Sequence, residues 1–530
     1  MNRDSRSAGS LRSTWDLRIV GLIALLGGTA YLRFAAIDWG APFVYHPDEH
    51  FVLQPALDVA RTGDLNPHWF EYPSMLIYLE AALVELVSSF TGAPLESNYL
   101  VNGIGPWDAL PEQWPFVLAG RLLVATSAVI SVLLLARVGE RLYGRATGLL
   151  AGAFLMAAAL HHQSSHYLTT DVPATMFLVG SMAATLARRR RWTLAGFLSG
   201  LAAGTKYTAG LALLVPLLAA LDVMDEQGPR GARLLQLLDR LIRIGLAALI
   251  GFLVSTPYAL LDLAAFLDGL EAQRRNYFAW QGQQGNLLWY LKHLYTVDLG
   301  RALALLAAFG MAAGLISVAA AGVRRRGGIG VALAFLLPPL LYVPWLASYP
   351  SRAERNLVIV LPFFCLAAAA GLRRVAAWLR PPLLASLFLA GVGGAALAYS
   401  LPALLAINAK LQRPDTRTVA LDWVRANLPR GAKIAREEYT PQLQRGEYDV
   451  TYLFSLAREP YSQYVAGRVQ YLIASSNVYG RAVDPPYVGG ETGREFYRVL
   501  FGLPLLQEFP SGPLSNGPTI RIYRVPLAER

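Results

Sequence analysis

Three groups of residues in this sequence have the types and spacing to do chemistry. The first is Tyr45-His46-Pro47-Asp48-Glu49-His50, where a carboxylate can accept a proton from a hydroxyl. The plain alternative is a solvated loop built on a Pro-Asp turn. The second is His161-His162-Gln163-Ser164-Ser165-His166, followed by Thr169-Thr170-Asp171-Val172-Pro173. Its histidines lack the HExxH arrangement, and no nearby carboxylate completes a zinc set by spacing. Helix capping by Thr170 or Asp171, with Pro173 in the first turn, accounts for much of the rest. The third is cationic: Lys206, Arg352 and Arg355. A guanidinium binds phosphate through two parallel hydrogen bonds, so the trio could clamp an anionic leaving group; snorkelling to lipid headgroups is the competing reading. Aromatics and amides also gather at residues 274–284, where interfacial anchoring is favoured over sugar binding.

The elements that must position these groups follow from composition. The chain of 530 residues is 54% hydrophobic and only 16% charged, against about a quarter charged in soluble proteins. It reads as an integral membrane protein. The net charge of +11 lies in short arginine clusters between apolar runs, which is the pattern of cytoplasmic loops and not of nucleic-acid binding. The single cysteine, Cys365, sits in an apolar run and excludes an intramolecular disulfide or a CxxC knuckle. Few lysines against many arginines suit a GC-rich bacterial source.

Apolar runs of about span length fall near residues 19–37, 115–136, 146–165, 172–187, 241–261, 303–322, 328–346, 356–372 and 382–406. The first follows Arg3, Arg6, Arg12 and Arg18 as a signal peptide would, but its length and the lack of an A-x-A site predict an uncleaved span. Residues 73–90 and 192–221 need arbitration, and the arginine clusters supply it. Clusters at 137–145, 188–191, 230–243, 324–326 and 373–380 share one side only if 73–90 lies on the outer surface and 192–221 forms a two-helix hairpin with Lys206 near its outer turn. About eleven spans result, with residues 38–114 as one large external loop holding interfacial helices. The C-terminus is then outside, together with most of the non-arginine polar residues.

From about Lys410 the pattern changes. An amphipathic helix is predicted over 417–427 and strands over 433–437, 469–475 and 519–525, separated by Gly/Pro turns. The expected organisation is a polytopic α-helical membrane domain over 1–408 and a small external α/β domain over 409–530.

Taken in order, five features resemble bacterial C-type (GT-C) glycosyltransferases, among them the protein O-mannosyltransferase and aminoarabinose lipid A transferase families. They are Asp48-Glu49 after the first span, Phe70-Glu71-Tyr72-Pro73 opening a surface helix, Asp171 in an outer loop, Gly200-Leu201-Ala202-Ala203-Gly204-Thr205-Lys206-Tyr207, and Arg355 before an apolar run with Pro362. The resemblance covers roughly residues 15–405. It implies a GT-C fold and a polyprenyl-phosphate-sugar donor used at the outer face of the cytoplasmic membrane. Asp48 would be the catalytic base with Glu49 beside it, and Asp171 a second outer-loop acid. Arg355, with Lys206 and Arg352, would hold the donor phosphate, and Tyr45, His50, Glu71, Tyr72, His166 and Tyr207 would contact substrate. A glutamate matching Glu71 helps bind a metal in the aminoarabinose transferases, which makes a divalent ion the candidate cofactor; where that motif has Lys, this chain has Tyr72.

The chemistry so implied is a single displacement at the anomeric carbon, which inverts its configuration and needs one base, since phosphate leaves without a general acid. The acceptor hydroxyl would belong to a lipid, a glycan or a protein, and the bilayer is the remaining partner. Two rivals are a lipid-linked oligosaccharide ligase or polymerase and a secondary transporter. The transporter is disfavoured because the spans carry little charge besides Arg121 and show no inverted repeat.

Overall fold

The computed structural model describes residues 4–96, 111–225, 227–278, 286–323, 328–443, 446–484 and 490–527, with side chains of the first helix from Ile19 onward. The chain is mostly helical and carries a mixed five-stranded sheet near its C-terminus. Its contacts resolve into two compact units. One comprises Met1–Ile37, Leu65–Leu79 and Gly120–Leu405, and the other Asp38–Asp64, Glu80–Ala119 and Ala406–Arg530.

Six helical segments among the described residues are long and apolar enough to cross a membrane: Pro111–Tyr143, Tyr207–Met224, Arg301–Ala321, Ile329–Ala347, Glu354–Ala376 and Pro382–Leu411. Shorter apolar helices run over Ile19–Phe34, Arg145–Ala157 and Trp192–Ala203. The run predicted at 146–165 is broken at Ala158, whose extended backbone separates Arg145–Ala157 from Ala159–Ser164. The 192–221 stretch is interrupted where its Gly-Thr-Lys sequence stands: a helix ends at Ala203 and the chain resumes at Tyr207 as a 3-10 helix. The arginine cluster at 324–326 lies outside the described residues.

Small residues let the helices of the first unit approach closely, as in membranes where apolar contact alone gives no preference for protein over lipid. Gly196 and Gly200 press against the backbone of Ile244 and Ala248 in the helix Arg230–Ser255, and Gly251 returns the contact at Phe197. A Cβ at Gly200 would collide with the Ala248 carbonyl. Ser181 and Ser199 hydrogen-bond each other at 2.9 Å, and both reach the Ala195 carbonyl. This packing fixes the end of the helix Trp192–Ala203 and therefore Lys206 beyond it.

In the second unit the helix His50–Thr62 ends on Gly63, whose φ of 71° is left-handed and open to glycine at no steric cost. Val44, Leu53, Leu57, Val84, Phe116 and Val117 form its buried core. The sheet has strands β1 (Lys433–Glu437), β2 (Asp449–Leu453), β3 (Tyr471–Ser475), β4 (Leu505–Phe509) and β5 (Ile520–Arg524), in the order β2-β1-β3-β5-β4. β1 pairs in parallel with β2 and β3, and β5 is antiparallel to β3 and β4. The helix predicted at 417–427 spans Thr416–Asn427, with the Asp415 carboxylate accepting the Arg417 N–H as N-cap.

At the end of β1, Glu437 is fully buried and accepts from the Tyr497 hydroxyl at 2.6 Å and from the Ser475 and Leu456 N–H groups at 2.8 and 3.1 Å. Burial nonetheless pushes Glu437 and Glu438 up to about 7. Since an unfolded glutamate titrates near about 4.3, the folded state holds these protons to higher pH. The stability they confer is complete below about 4.3 and is lost as pH rises through about 7. Thermal unfolding of the full chain in detergent is therefore expected to show a midpoint that falls over that window, with the fall reduced in Glu437→Gln; identical slopes would contradict the assignment. A second expectation concerns packing: Gly200→Leu should lower stability by about 3 kcal/mol or more in the same assay, whereas Gly231→Leu, where a Cβ meets open space, should not.

Candidate functional site

Within the first unit, motifs far apart in sequence come together around Tyr72. The Ser74 N–H reaches Thr256 Oγ1 at 3.3 Å and the Met75 N–H reaches the Gly204 carbonyl at 3.0 Å, tying the Phe70–Met75 loop to the end of the helix Trp192–Ala203. The Tyr207 hydroxyl donates to the Phe70 carbonyl at 2.9 Å. Arg355 Nη2 donates to the Tyr72 hydroxyl at 3.2 Å. Asp171 lies close enough to Tyr72 for its field, added to burial, to push the phenol up. Glu71 is half-buried and raised by that burial, while its carboxylate accepts from Asn276 Nδ2 at 2.8 Å.

Lys206 and Asp171 form an ion pair at the base of this cluster, their side chains only 12% and 3% exposed. Asp171 opens the helix Asp171–Thr185, and Thr170 at the N-cap makes no side-chain capping bond. The carboxylate thus serves the lysine. Arg352 is half-buried, donates Nε to Asn286 Oδ1 at 3.0 Å and stacks 5.5 Å from the Trp289 ring centre. Asn356 Nδ2 donates to the Tyr277 hydroxyl at 2.9 Å, and Tyr342 donates to the Asn356 carbonyl at 3.1 Å. Sequence reasoning missed Asn276, Tyr277 and Asn356 as parts of this network. The aromatic and amide-rich stretch at 274–284 was the one signal for Asn276 and Tyr277, and its residues from 279 onward lie outside the described set; Asn356 had none.

The second unit holds the carboxylates that follow the first helix. Asp48 is the accessible one, with its side chain 17% exposed; its N–H reaches His46 Nδ1 at 3.2 Å and its carboxylate stands 3.9 Å from that ring. Glu49 is fully buried. Glu80, also fully buried, has its pKa pushed well above the ordinary value by burial and then by the charge of Glu49. His50 is buried and pushed down to about 3, so it is a neutral imidazole at physiological pH. Tyr45 is buried with its hydroxyl 2.8 Å from Thr418 Oγ1.

His166 is fully buried in the first unit, its Nδ1 3.0 Å from the His162 carbonyl and its Nε2 3.0 Å from the Ala35 carbonyl. Arg33, buried at the end of the first helix, lies 2.6 Å from His162 Nδ1 and donates to the Met156 carbonyl at 2.9 Å. Among the described residues, no three His, Cys, Asp or Glu side chains converge as a metal set. Glu71, the candidate ligand, accepts from the Asn276 amide and belongs to no such set among the described residues.

Removing one member of a buried ion pair leaves an uncompensated charge. Asp171→Asn and Lys206→Met are each expected to cost about 3–5 kcal/mol, and the double variant is expected to recover most of that loss. Thermal unfolding of the purified variants checks this, and a double variant no more stable than the singles would show the pair is not the cluster's anchor.

Residues 117–253 match the family model described as dolichyl-phosphate-mannose-protein mannosyltransferase, a segment that includes Asp171 and Lys206. In fold, the chain is similar to the archaeal oligosaccharyltransferase AglB from Archaeoglobus fulgidus, solved with an inhibitory peptide and a dolichol-phosphate. The two are 12% identical, with 87% of this chain and 69% of AglB covered at a TM-score of 0.51. ArnT from Cupriavidus metallidurans bound to undecaprenyl phosphate is 13% identical over 95% of this chain and 97% of its own, at a TM-score of 0.49. A 149-residue stretch is 28% identical to CASP-like protein 1U1 from Physcomitrium patens, covering 22% of this chain and 75% of that protein. Over residues 117–253 the chain is thus similar in sequence to a mannosyltransferase family, and over most of its length it is similar in fold to AglB.

Proposed function

We propose that this protein moves a sugar from a polyprenyl-phosphate-sugar donor to a hydroxyl acceptor at the outer face of a bacterial cytoplasmic membrane, inverting the anomeric centre. The observation that carries this reading is the gathering around Tyr72 of Lys206-Asp171, Tyr207, Glu71 and Arg355, drawn from four separate sequence motifs. A cluster that assembles guanidinium, ammonium, phenol and carboxylate suits a phosphate carrying a sugar. The dolichol-phosphate in AglB belongs to the lipid class we assign as leaving group here.

In the proposed reaction the acceptor oxygen attacks the anomeric carbon and gives its proton to Asp48. The bond from that carbon to the phosphate oxygen breaks on the opposite face, and polyprenyl phosphate leaves with the bonding pair. Asp48 fits the base because it is the carboxylate of its pair that solvent reaches, whereas Glu49 is closed off. Arg355 and Arg352 supply positive charge to the departing phosphate, where charge grows in the transition state. Lys206 acts through its pair with Asp171, which keeps the neighbouring phenol and guanidinium in place. No step passes through a metal. With the arginine clusters on the cytoplasmic side, we read eleven crossings, counting the short helices Ile19–Phe34, Arg145–Ala157 and Trp192–Ala203 among them. Residues 1–408 then form the transferase domain and 409–530 an external domain.

Purified protein given radiolabelled polyprenyl-phosphate sugars and a membrane extract is expected to consume at least one donor. Asp48→Asn should lose about 100-fold or more in turnover while staying folded. Arg355→Gln should raise the donor KM about tenfold or more, the loss of a charge-assisted hydrogen bond. Unchanged turnover in Asp48→Asn would remove Asp48 from the role of base.

A further inference from the structure

Residues 44–45, which lead directly into Asp48, are gripped by side chains from the segment 415–442 of the same compact unit. Gln442 Nε2 donates to the Val44 carbonyl at 3.2 Å, and Arg417 Nη1 donates to the Tyr45 carbonyl at 3.0 Å. The Arg417 guanidinium also lies 3.9 Å from the centre of the Tyr45 ring, whose hydroxyl pairs with Thr418 Oγ1 at 2.8 Å. This holds backbone, ring face and hydroxyl of one residue at once.

Arg417 is itself fixed. Its Nε and Nη2 each donate to an Asp415 carboxylate oxygen at 2.8 Å, and the two side chains are 7% and 3% exposed. Asp415 in turn caps the helix Thr416–Asn427, and the Thr416 N–H and hydroxyl reach the Asn516 and Pro518 carbonyls at 2.9 and 2.6 Å. The line of contacts therefore runs from the strand β5 end of the C-terminal segment, through Asp415 and Arg417, to Tyr45. Between Tyr45 and Asp48 stand only His46 and Pro47. Proline fixes its own φ, and His46 Nδ1 takes the Asp48 N–H at 3.2 Å. Few free torsions separate the gripped residue from the carboxylate.

We propose that Arg417, supported by Asp415 and Gln442, is a positioning residue that aims the Asp48 carboxylate at the acceptor hydroxyl, which gives the C-terminal segment a direct part in turnover. This rests on the reading of Asp48 as the base. A misplacement of about 1 Å at a reacting group can cost about 100-fold in rate, so loosening the grip should lower kcat without changing how donor binds.

The test compares Arg417→Lys, Gln442→Leu and Asp48→Asn in the full chain, with kcat and donor KM referred to the folded, monodisperse fraction. Arg417→Lys keeps a cation for Asp415 but loses the fork and the stacking, and kcat should fall about 10- to 100-fold with donor KM within about twofold. Gln442→Leu leaves the ion pair whole and should show the same signature more weakly, about threefold to tenfold in kcat. Wild-type kcat in both variants, while Asp48→Asn is inactive, overturns the positioning role and leaves the base standing. A loss that vanishes on correction for folded protein also overturns it. If Asp48→Asn retains turnover, the base reading fails and the proposal goes with it.

Discussion

The Lys206–Asp171 ion pair is the contact on which the first unit's polar cluster depends. Two charges nearly removed from water are costly unless they neutralise each other, so the pair is stable only where backbone holds both ends at contact distance. Asp171 gets its place from the start of the helix Asp171–Thr185, and Lys206 from the turn closing the helix Trp192–Ala203. That second helix is placed by Gly196 and Gly200 against the helix Arg230–Ser255. Close helix packing, made by residues with no side chain, thus sets the geometry of residues with the most polar ones.

The carboxylates of the second unit divide by exposure. Glu49 and Glu80 are both fully buried, and burial, with the charge of Glu49 added to it, pushes the Glu80 carboxyl well above the usual carboxylate range. Asp48, one residue away, keeps a side chain open to solvent. A base has to meet a hydroxyl that arrives from outside, and of these three acids Asp48 alone meets that condition. Three residues before it, Arg417 grips the carbonyl and ring of Tyr45, the contact we propose as its positioning device.

Much of this was legible in the sequence, for reasons that differ by element. Apolar runs of span length announce helices, and the Gly-Thr-Lys interruption after residue 203 announced a break that the chain indeed makes. The strands β1, β3 and β5 were readable because they are interior and carry apolar residues. Strands β2 and β4 are the edges of the sheet, half-exposed, and Asp-Val-Thr-Tyr-Leu or Leu-Leu-Gln-Glu-Phe shows little periodic burial to read. Asp171 looked like a helix cap as much as a functional acid, since a carboxylate at a helix start serves either way; only its pairing with Lys206 separates the two. His166, which the resemblance implies as a substrate contact, has both ring nitrogens facing backbone carbonyls. The partners of Glu71 and of Tyr45 lie 205 and 372 residues away in sequence, and no local pattern encodes such contacts.

A single displacement with polyprenyl phosphate as leaving group inverts the anomeric carbon, so the configuration of the product reports on it. Proton and carbon NMR of the sugar before and after transfer would read that configuration at the reacting carbon. In a single displacement a β-linked donor yields an α-linked product, and the reverse. Retention of configuration would contradict it, because one base and one departing phosphate cannot produce two successive displacements.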